Sequence, residues 1–599
     1  MIWGGVSSQS LWAKVRWLKP WIAVAAFVGI VLMPWYAYSP VWIRQIELIS
    51  ITATVVVGLN LSYGFAGELS LGQAAMYAAG AYVTGILALH GHNDLLVTLP
   101  AAAFVAAALG LISGVPGLRL SGFALAMVSF SLILLTPDVV SLAPNLTGGF
   151  AGLAGIPDLK VAGQTLDPIG YYVVVVVVTG IVLAVFRNIL FSRTGTTFRV
   201  MKQSPILASS LGIAVYRTKL VAYVIGAVPA GIAGCLFAYL DNYIAPESFG
   251  FPVSVSFLGA SILGGSQSLY GAILGSALLQ LGPLRSSDFQ RFSLVAYGLF
   301  LIFGGIFFSG GFTGLFGRIV SRLLQRQTRA TVLMERSGES RLGTFPGRRL
   351  EVTGATKRFG GVVAISNVTL SAVPGQITAI IGANGSGKTT LLNLISGFYR
   401  LDAGTLRLGD SDLTRLPAHR IAMKGVSRTF QTPAVPTGLT AAEVVASARY
   451  SSARVGIVAT ILRLPRYRRI VREDRAEALR LLHLLGIDHL ADLEGASLPL
   501  GTRRLLEVAR ALASRPSILL LDEPASGLDH AEIQELASAV RRIRESDATV
   551  VLVEHNFPLV LQLADQIHVL RRGEVIASGP PVEIRDNRLV AESYLGLRE

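Results

Sequence analysis

The chain has 599 residues, of which 52% are hydrophobic and 15% charged, and its mean hydropathy is +0.56. These values exclude an ordinary soluble enzyme, and the length exceeds that of one domain. The net charge of +15 does not predict nucleic-acid binding, because much of the excess lies in loops flanking apolar segments, where a membrane protein retains lysine and arginine on its cytoplasmic side. The single cysteine, Cys235, excludes a disulfide framework and a cysteine-ligated metal site within the chain.

Residues 1–317 predict a polytopic α-helical membrane domain. Crossing the hydrocarbon core takes about 20 apolar residues, and candidate spans lie near residues 20–38, 46–64, 73–90, 95–115, 121–141, 168–187, 219–240, 252–284 (interrupted) and 292–310. No signal-peptidase-like site follows the first span, so we expect it to remain as an anchor. If successive spans alternate in direction, the basic clusters at residues 14–19, 119 and 187–219 share one side of the membrane, which places the N-terminus in the cytoplasm. The C-terminal half joins it there only if the interrupted span crosses twice.

Two glycine-rich breaks, Gly64–Gly72 and Gly264–Gly271, interrupt this pattern. Unwound backbone at membrane depth must line a cavity or be buried in protein, so paired breaks indicate a substrate path. The alternative is a pair of tight loops or close helix contacts. The candidate path residues are Glu68, Ser70, Gln73 and Gln267.

Glu68 is the most unusual of these residues, because an acidic group at a helix centre costs about 2.5–3.5 kcal/mol on insertion scales. It either receives a cationic group or caps a helix that begins near Ser70. The sequence leaves both interpretations open.

A basic segment at residues 318–349 is expected to link the membrane domain to an α/β P-loop domain at 350–599. The run Gly382–Thr389 matches G-x-x-x-x-G-K-[ST], in which backbone N–H groups cradle phosphates, Lys388 reaches the β- and γ-phosphates and Thr389 reaches Mg²⁺. This motif predicts ATP or GTP binding. The further candidate contacts are Asn384, Gly385, Ser386, Gly387 and Thr390.

Two apolar strands are expected to deliver the reactive groups. One ends in Asp522, which is placed to hold Mg²⁺ directly or through water, and the adjacent Glu523 is placed to polarise an attacking water. The other strand, Thr549–Val553, delivers His555 at its carboxyl end. Ligands bind at that edge in open parallel sheets.

The ordered set of motifs from Gly382 to His555 resembles the ATPase subunit of ABC transporters. The resemblance implies ATP and Mg²⁺ as cofactors and assigns each matching residue a role. Phe359 stacks on adenine, Gln431 senses Mg²⁺ and the membrane domain, Glu523 is the catalytic base, Asp529 is the D-loop aspartate, and His555 contacts the γ-phosphate. The alternatives are that Phe359 packs in the core and that His555 is an ordinary histidine at a strand end.

The signature motif of that family, L-S-G-G-Q, departs here from its usual form. The chain has Leu498-Pro499-Leu500-Gly501-Thr502, so only Leu498 and Gly501 agree. In ABC dimers this segment faces ATP held by the other subunit, so the resemblance implies that one composite site is slow or degenerate. The alternative is that backbone N–H groups at the helix start carry enough of the anion contact.

Both halves together resemble branched-chain amino-acid (Liv-type) importers. The matching segments are Gly58–Leu61, Gly64–Gly72, Leu118–Gly122, Thr147–Gly149, Gly152–Pro157, Pro246–Phe249, Arg358–Gly361, Ser427–Gln431 and Ser593–Gly596. The resemblance implies a natural fusion of permease and ATPase that acts as a half-transporter. Its partners would be a second permease subunit and a second ABC ATPase, or a second copy of the chain, with an extracytoplasmic substrate-binding protein. The expected location is the bilayer of the bacterial cytoplasmic membrane, crossed several times, with the ATPase domain in the cytoplasm.

The expected function is ATP-driven uptake of small polar solutes, above all branched-chain amino acids. Urea, amides and other small solutes are alternatives, since Glu68 and Gln73 stand where the Liv pattern more often has glutamine and histidine. An exporter half and a non-transporting nucleotide sensor are further alternatives, although the short spans and the intact catalytic residues argue against them. The loop Arg193–Tyr216 is predicted to be a coupling helix that docks near Gln431, or else a basic surface loop.

Overall fold

The computed structural model describes residues 24–120, 124–281, 295, 345–451, 453, 455–588 and 590. The described residues form two compact units, one within Met1–Leu190 and Lys219–Thr331 and the other within Phe191–Thr218 and Val332–Glu599. The predicted span 292–310, except Val295, and most of the predicted linker lie outside the described residues.

The helices of the first half of the chain include every predicted span that the structure describes, together with shorter helices between these spans. Up to residue 281 they are α1 (Val24–Tyr36), α2 (Pro40–Leu59), α3 (Gln73–Leu89), α4 (Leu95–Gly117), α5 (Ala124–Ser141), α6 (Pro144–Thr147), α7 (Pro168–Leu190), α8 (Arg193–Gln203), α9 (Pro205–Ser210), α10 (Val215–Leu240), α11 (Phe251–Gly264) and α12 (Leu269–Leu281). Among the described residues, five helical segments are long and apolar enough to cross a membrane: Pro40–Phe65, Leu95–Gly117, Ala124–Ser141, Pro168–Leu190 and Val215–Leu240. Two strand pairs complete the first unit, in which β1 (Leu153–Ala154) pairs with β4 (Tyr243–Ile244) and β2 (Lys160–Val161) with β3 (Gln164–Thr165).

The two glycine-rich breaks contact each other. After α2 the chain continues as a π-helix, Asn60–Phe65, and the Asn60 amide donates to the carbonyl of Ser268 at 3.0 Å while accepting from the Ser261 hydroxyl at 2.6 Å. A Cβ at Gly64 would lie 1.7 Å from the carbonyl oxygen of Ser266, so only glycine allows this approach. The breaks therefore include the close contact that small residues permit between helices.

Glu68 does not cap a helix, so that interpretation was wrong. The helix begins at Gln73 rather than near Ser70, and its N-cap residue, Gly72, has no side chain to cap it. Glu68 instead forms an ion pair with Lys219 of α10. Its cationic partner is thus supplied by the protein itself.

The second unit is built on a six-stranded sheet in the order β10-β11-β12-β7-β13-β14 and a four-stranded antiparallel sheet in the order β6-β5-β8-β9. The strands are β5 (Leu350–Phe359), β6 (Val362–Ala372), β7 (Ile377–Ile381), β8 (Ala403–Leu408), β9 (Ser411–Asp412), β10 (Val426–Arg428), β11 (Ile518–Asp522), β12 (Thr549–Val553), β13 (Gln566–Arg571) and β14 (Glu574–Gly579). The helices are α13 (Lys388–Ile395), α14 (Ala418–Met423), α15 (Ala441–Ser447), α16 (Ile457–Ile461), α17 (Pro465–Leu484), α18 (Leu500–Ala513), α19 (His530–Arg544), α20 (Phe557–Leu563) and α21 (Pro581–Arg585).

Strands β11, β12 and β7 are parallel neighbours in the larger sheet. Every residue in these three strands is buried, which explains their continuous apolar runs: both faces of such a sheet are covered. Their carboxyl ends lie along one edge, so the phosphate loop, Asp522 and His555 emerge side by side.

Helices α8 and α9 belong to this second unit, although α7 and the part of α10 from Lys219 onward belong to the first. Within the unit, α8 packs against α15, and α9 packs against α14 and β10. The segment predicted to be a coupling helix is therefore an integral part of the nucleotide-binding unit.

Candidate nucleotide site

The phosphate loop connects β7 to α13, and the backbone conformation at its last glycine, Gly387, accommodates no other residue. Gly387 has φ +106°, and a Cβ there would lie 2.7 Å from Ile365 and 2.8 Å from the carbonyl oxygen of Ala364. Gly387 is also the N-cap of α13 and offers no capping side chain. The first N–H groups of the helix are thus left for an external acceptor, and a phosphate oxygen is such an acceptor.

Two polar side chains are buried inside this loop. The Lys388 ammonium donates to the carbonyls of Gly382 at 2.7 Å and Ala383 at 3.1 Å, and burial lowers its pKa, while Glu523 and Asp522 oppose that shift. The Ser386 hydroxyl is buried and has no hydrogen-bond partner among the described residues. A phosphate group would supply the partner that the buried Ser386 hydroxyl lacks, and its negative charge would pair with the Lys388 ammonium.

The other predicted loop contacts lie on the open side of the site. Asn384, Gly385 and Thr389 are exposed, and Thr390 is half-buried. The Thr389 hydroxyl is therefore accessible to a metal ion that accompanies the phosphates.

The structure brings together the three predicted catalytic residues. The Gln431 amide donates to the Glu523 carboxylate at 2.8 Å, and Nδ1 of His555 lies 3.8 Å from the same carboxylate oxygen. Glu523 adopts φ +44°, which is unusual for a residue other than glycine. Its own N–H donates to the carbonyl of Val553 at 2.9 Å, which fixes the strained residue against β12. Such strain persists where the surrounding structure determines it, commonly at functional sites.

Glu554 organises the loops around this cluster. Its side chain is fully buried and accepts hydrogen bonds from the backbone N–H groups of Ala525 at 2.8 Å, His555 at 3.0 Å and Asn556 at 3.3 Å. Burial raises its pKa above the ordinary glutamate value, although these hydrogen bonds oppose the shift. Glu554 thus ties the loop after Glu523 to the loop that carries His555.

Asp522 lies next to the cluster and is held by Arg428 of β10. The two side chains form an ion pair at 2.8 Å, and each is about 4% exposed. Arg428 also donates to Asn393 of α13 at 2.6 Å, and its guanidinium lies 5.4 Å from the centre of the Phe430 ring. Arg428 therefore connects the strand before Gln431, the helix after the phosphate loop and the carboxylate at the end of β11.

Replacing Arg428 by methionine should destabilise the second unit strongly. Removing one partner of a buried ion pair leaves an uncompensated charge, which costs about 3–5 kcal/mol. We expect the thermal unfolding midpoint of the full chain to fall and ATPase activity to fall with it. Arg407→Met is the matched control, because Arg407 is an exposed arginine on β8. Equal midpoints for the two variants would contradict the structural role of the ion pair.

The oxygen donors at this edge suit Mg²⁺, the ion that the fold implies. Magnesium prefers oxygen ligands and is commonly held by one or two carboxylates together with substrate phosphates. Asp522 supplies a carboxylate and Thr389 an exposed hydroxyl. The side-chain nitrogen of Gln431 donates to Glu523, so the side-chain carbonyl oxygen of Gln431 is left to serve as a metal ligand. The described residues include no group of three or more His, Cys, Asp or Glu that could hold a metal without such a substrate.

Phe359 lies at the end of β5 and is 43% exposed, so the core interpretation of this residue was wrong. Its ring packs edge-to-face on Tyr399 at 5.1 Å, and the Lys357 ammonium lies 5.5 Å from its centre. An exposed, supported aromatic face is available for stacking on a base.

The altered signature lies at the start of α18. Leu498 is buried, and Pro499 is an N-cap without a side-chain hydrogen bond. A Cβ at Gly501 would lie 1.9 Å from a carboxylate oxygen of Glu532, so an acidic group closely approaches this helix start. Asp529 caps α19 through a reciprocal capping box with Glu532, whose N–H donates to Asp529 at 2.8 Å.

Three functional contacts were not expected from the sequence. Arg428 lies in the segment Ser427–Gln431, and its burial against Asp522 is visible only in the structure. Arg504 of α18 donates to the carbonyls of Phe430 at 3.1 Å and Ser526 at 3.4 Å, which links this helix to the loops that contain Gln431 and Glu523. The third is an anchor for α8.

Arg193 is that anchor. Its Nε lies 2.9 Å from a carboxylate oxygen of Asp474 in α17, and its other nitrogens donate to the carbonyls of Ala453 at 2.7 Å and Arg449 at 2.6 Å. The second oxygen of Asp474 pairs with Arg449 at 2.8 Å. Farther along α8, Arg199 donates to the carbonyl of Gly438 at 3.4 Å. The basic residues of this loop are therefore engaged in specific contacts.

Comparisons with known proteins agree with both halves of this architecture. The family model described as the branched-chain amino acid transport system permease component matches residues 41–309, and the ABC transporter model matches residues 365–526. The high-affinity branched-chain amino acid transport ATP-binding protein BraF of Pseudomonas aeruginosa is 39% identical over 248 residues, which are 41% of this chain and 97% of that protein. The protein LivG of Escherichia coli, with the same description, is 38% identical with the same coverage of both chains. A solved nucleotide-free ATP-binding cassette from an ABC transporter is 28% identical and covers 42% of this chain and 100% of its own, with a TM-score of 0.37.

Proposed function

Because the chain belongs to the branched-chain amino acid ABC transporters and joins a permease domain to an ATP-binding domain, we propose that it couples ATP hydrolysis to the uptake of branched-chain amino acids. The observation that carries this proposal is the presence of both components in one polypeptide. A permease-component match over residues 41–309 precedes an ATPase domain in which Gln431, Glu523 and His555 lie together. A nucleotide sensor without turnover would not need this grouping.

The proposed chemistry assigns one task to each side chain. ATP binds with its adenine on Phe359 and its phosphates on the loop from Gly382 to Lys388. Glu523 accepts the proton of the attacking water, while Gln431 and His555 hold that carboxylate and the γ-phosphate in place. Mg²⁺, held by Thr389, Gln431 and Asp522, would neutralise charge on the phosphates. Preorganised charges of this kind supply most of the catalysis in phosphoryl transfer.

The nucleotide site is completed by another subunit in this proposal. The start of α18, with Leu498 and Gly501, would face ATP held by a partner, and Asp529 would lie at the same interface. The partners are a second permease and a second ABC ATPase, or a second copy of this chain, with an extracytoplasmic binding protein that delivers the substrate. The assembly would cross the bacterial cytoplasmic membrane several times and keep its ATPase domain in the cytoplasm.

Reconstitution tests the transported substrate. The full chain, its partner subunits and the cognate binding protein are placed in proteoliposomes, and labelled leucine, isoleucine and valine are compared with urea and short amides. We expect ATP-dependent accumulation of the three amino acids, each competing with the others. Uptake of urea or an amide without competition by any branched-chain amino acid would contradict the substrate assignment and leave the ATPase assignment in place.

A further inference from the structure

Helix α3 begins inside the first unit without a cap. The chain before it, residues 67–71, has irregular backbone, and the N-cap residue Gly72 makes no side-chain hydrogen bond. The first helical residues, Gln73, Ala74 and Ala75, are no more than 2% exposed. The first N–H groups of a helix have no partner within the helix, and they carry its positive dipole end. A buried helix start of this kind therefore favours a negatively charged group.

The Gln73 side chain gives an independent indication of a ligand at the same place. The residue is 1% exposed, and neither its amide nitrogen nor its amide oxygen has a hydrogen-bond partner among the described residues. Side chains of helices tilt towards the N-terminus, so this amide lies at the uncapped end of α3. A buried amide with no hydrogen-bond partner destabilises the fold, and a bound ligand that hydrogen-bonds to it would offset that cost.

The loop immediately before α3 is held by hydrogen bonds that do not involve the Gln73 side chain. The N–H of Leu71 donates to the Ser129 hydroxyl at 3.1 Å, and the Ser254 hydroxyl donates to the carbonyl of Leu71. The N–H of Gly72 donates to the Ser70 hydroxyl at 3.2 Å. The loop is thus fixed by side chains from α5 and α11, while the first side chain of α3 is left without a partner.

An apolar cluster begins one helical turn farther along α3. Tyr77 stands four residues after Gln73, a spacing that places the two on the same face of the helix. Its ring packs with Phe249 at 5.3 Å, Phe237 at 5.4 Å and Phe257 at 5.6 Å. A group of hydrogen-bond donors suited to an anion and an aromatic surface are therefore adjacent on one helix.

We propose that the start of α3 and the Gln73 amide bind the α-carboxylate of an apolar amino acid during its passage through the permease domain, with its side chain against the Tyr77 cluster. The inference rests on the proposed function, since it concerns the substrate of the same transporter. Charge complementarity selects the carboxylate, and the aromatic rings select an apolar side chain. The rings are packed together in this structure, so the substrate occupies the site in a conformation in which they separate.

The test compares Gln73→Met with the wild type in proteoliposomes that contain the full chain, its partners and leucine-loaded binding protein. Methionine keeps the length of glutamine and removes its hydrogen-bonding groups. We expect the initial rate of labelled leucine uptake to fall about tenfold, as the loss of a hydrogen bond to a charged group implies. The ATPase stimulation by the binding protein should stay within about twofold of the wild type, and the unfolding midpoint should not fall, because the variant removes an unpartnered buried amide.

Gln45→Met is the matched control, because Gln45 of α2 also has a buried amide oxygen without a partner among the described residues but lies near the opposite end of α2 from the break. Its leucine uptake should equal that of the wild type. Wild-type uptake by Gln73→Met would overturn the proposed site. A fall in uptake accompanied by a lower unfolding midpoint would also overturn it, since Gln73 would then stabilise the fold. A wild-type complex that accumulates no branched-chain amino acid would contradict the proposed function and the site with it.

Discussion

Replacing Glu523 by glutamine is expected to lower the ATPase rate of the assembled transporter by about 10²- to 10⁴-fold, the contribution typical of a general base. Glutamine has the same shape and can still hydrogen-bond to Gln431, which lies 2.8 Å from the native carboxylate. It cannot accept the proton of the attacking water. The measurement is phosphate release under saturating ATP and Mg²⁺, together with nucleotide binding, which should be retained.

Glu545→Gln is the control for this change, because Glu545 is an exposed residue at the end of α19. It should hydrolyse ATP at the wild-type rate. Unchanged turnover in Glu523→Gln would eliminate Glu523 as the base. Loss of nucleotide binding in the same variant would show that its effect lies in the fold of the loop.

Replacing Arg193 by alanine is expected to uncouple the transporter. Arg193 makes an ion pair with Asp474 and two hydrogen bonds to backbone carbonyls, and a charge-assisted hydrogen bond contributes about 1.5–3 kcal/mol. Loss of even one contact of this strength should lower the equilibrium constant for docking α8 by roughly 10- to 100-fold, since 1.4 kcal/mol corresponds to a factor of ten. We expect amino-acid uptake to fall in that proportion. Basal ATP hydrolysis should persist, because Asp474 keeps its pair with Arg449.

The control for this prediction is Gln203→Ala, which changes an exposed residue at the end of the same helix. It should leave both uptake and ATPase activity unaltered. Equal loss of uptake and basal hydrolysis in Arg193→Ala would indicate damage to the ATPase fold. Normal uptake would contradict a role for this anchor in coupling.

Local chemistry made much of the nucleotide site predictable. A phosphate loop requires glycines and a lysine within eight positions, and a parallel sheet delivers Asp522 and His555 to the same edge at the ends of apolar strands. These relations depend on short stretches of sequence. The membrane helices were equally predictable from the sequence, because the length of an apolar run reflects the thickness of the bilayer.

The remaining features depend on contacts between distant parts of the chain. Asp474 pairs with Arg193 of α8, which lies hundreds of residues earlier in the chain. Within the first unit, Glu68 pairs with Lys219. Charged residues are frequent in such loops, and the sequence does not indicate which two will meet. The start of α3 at Gln73 agrees with the predicted span 73–90, but the N-cap is Gly72 and not Glu68.

The placement of α8 and α9 changes what the gene fusion accomplishes. Residues Phe191–Thr218 are continuous with permease helices at both ends, yet they pack as part of the nucleotide-binding unit. The folded nucleotide-binding unit therefore includes two helices from the permease half of the sequence and is not built from the C-terminal half alone. What the fusion adds is stoichiometry: each round of translation yields one permease domain and one ATPase domain, so neither accumulates in excess of the other.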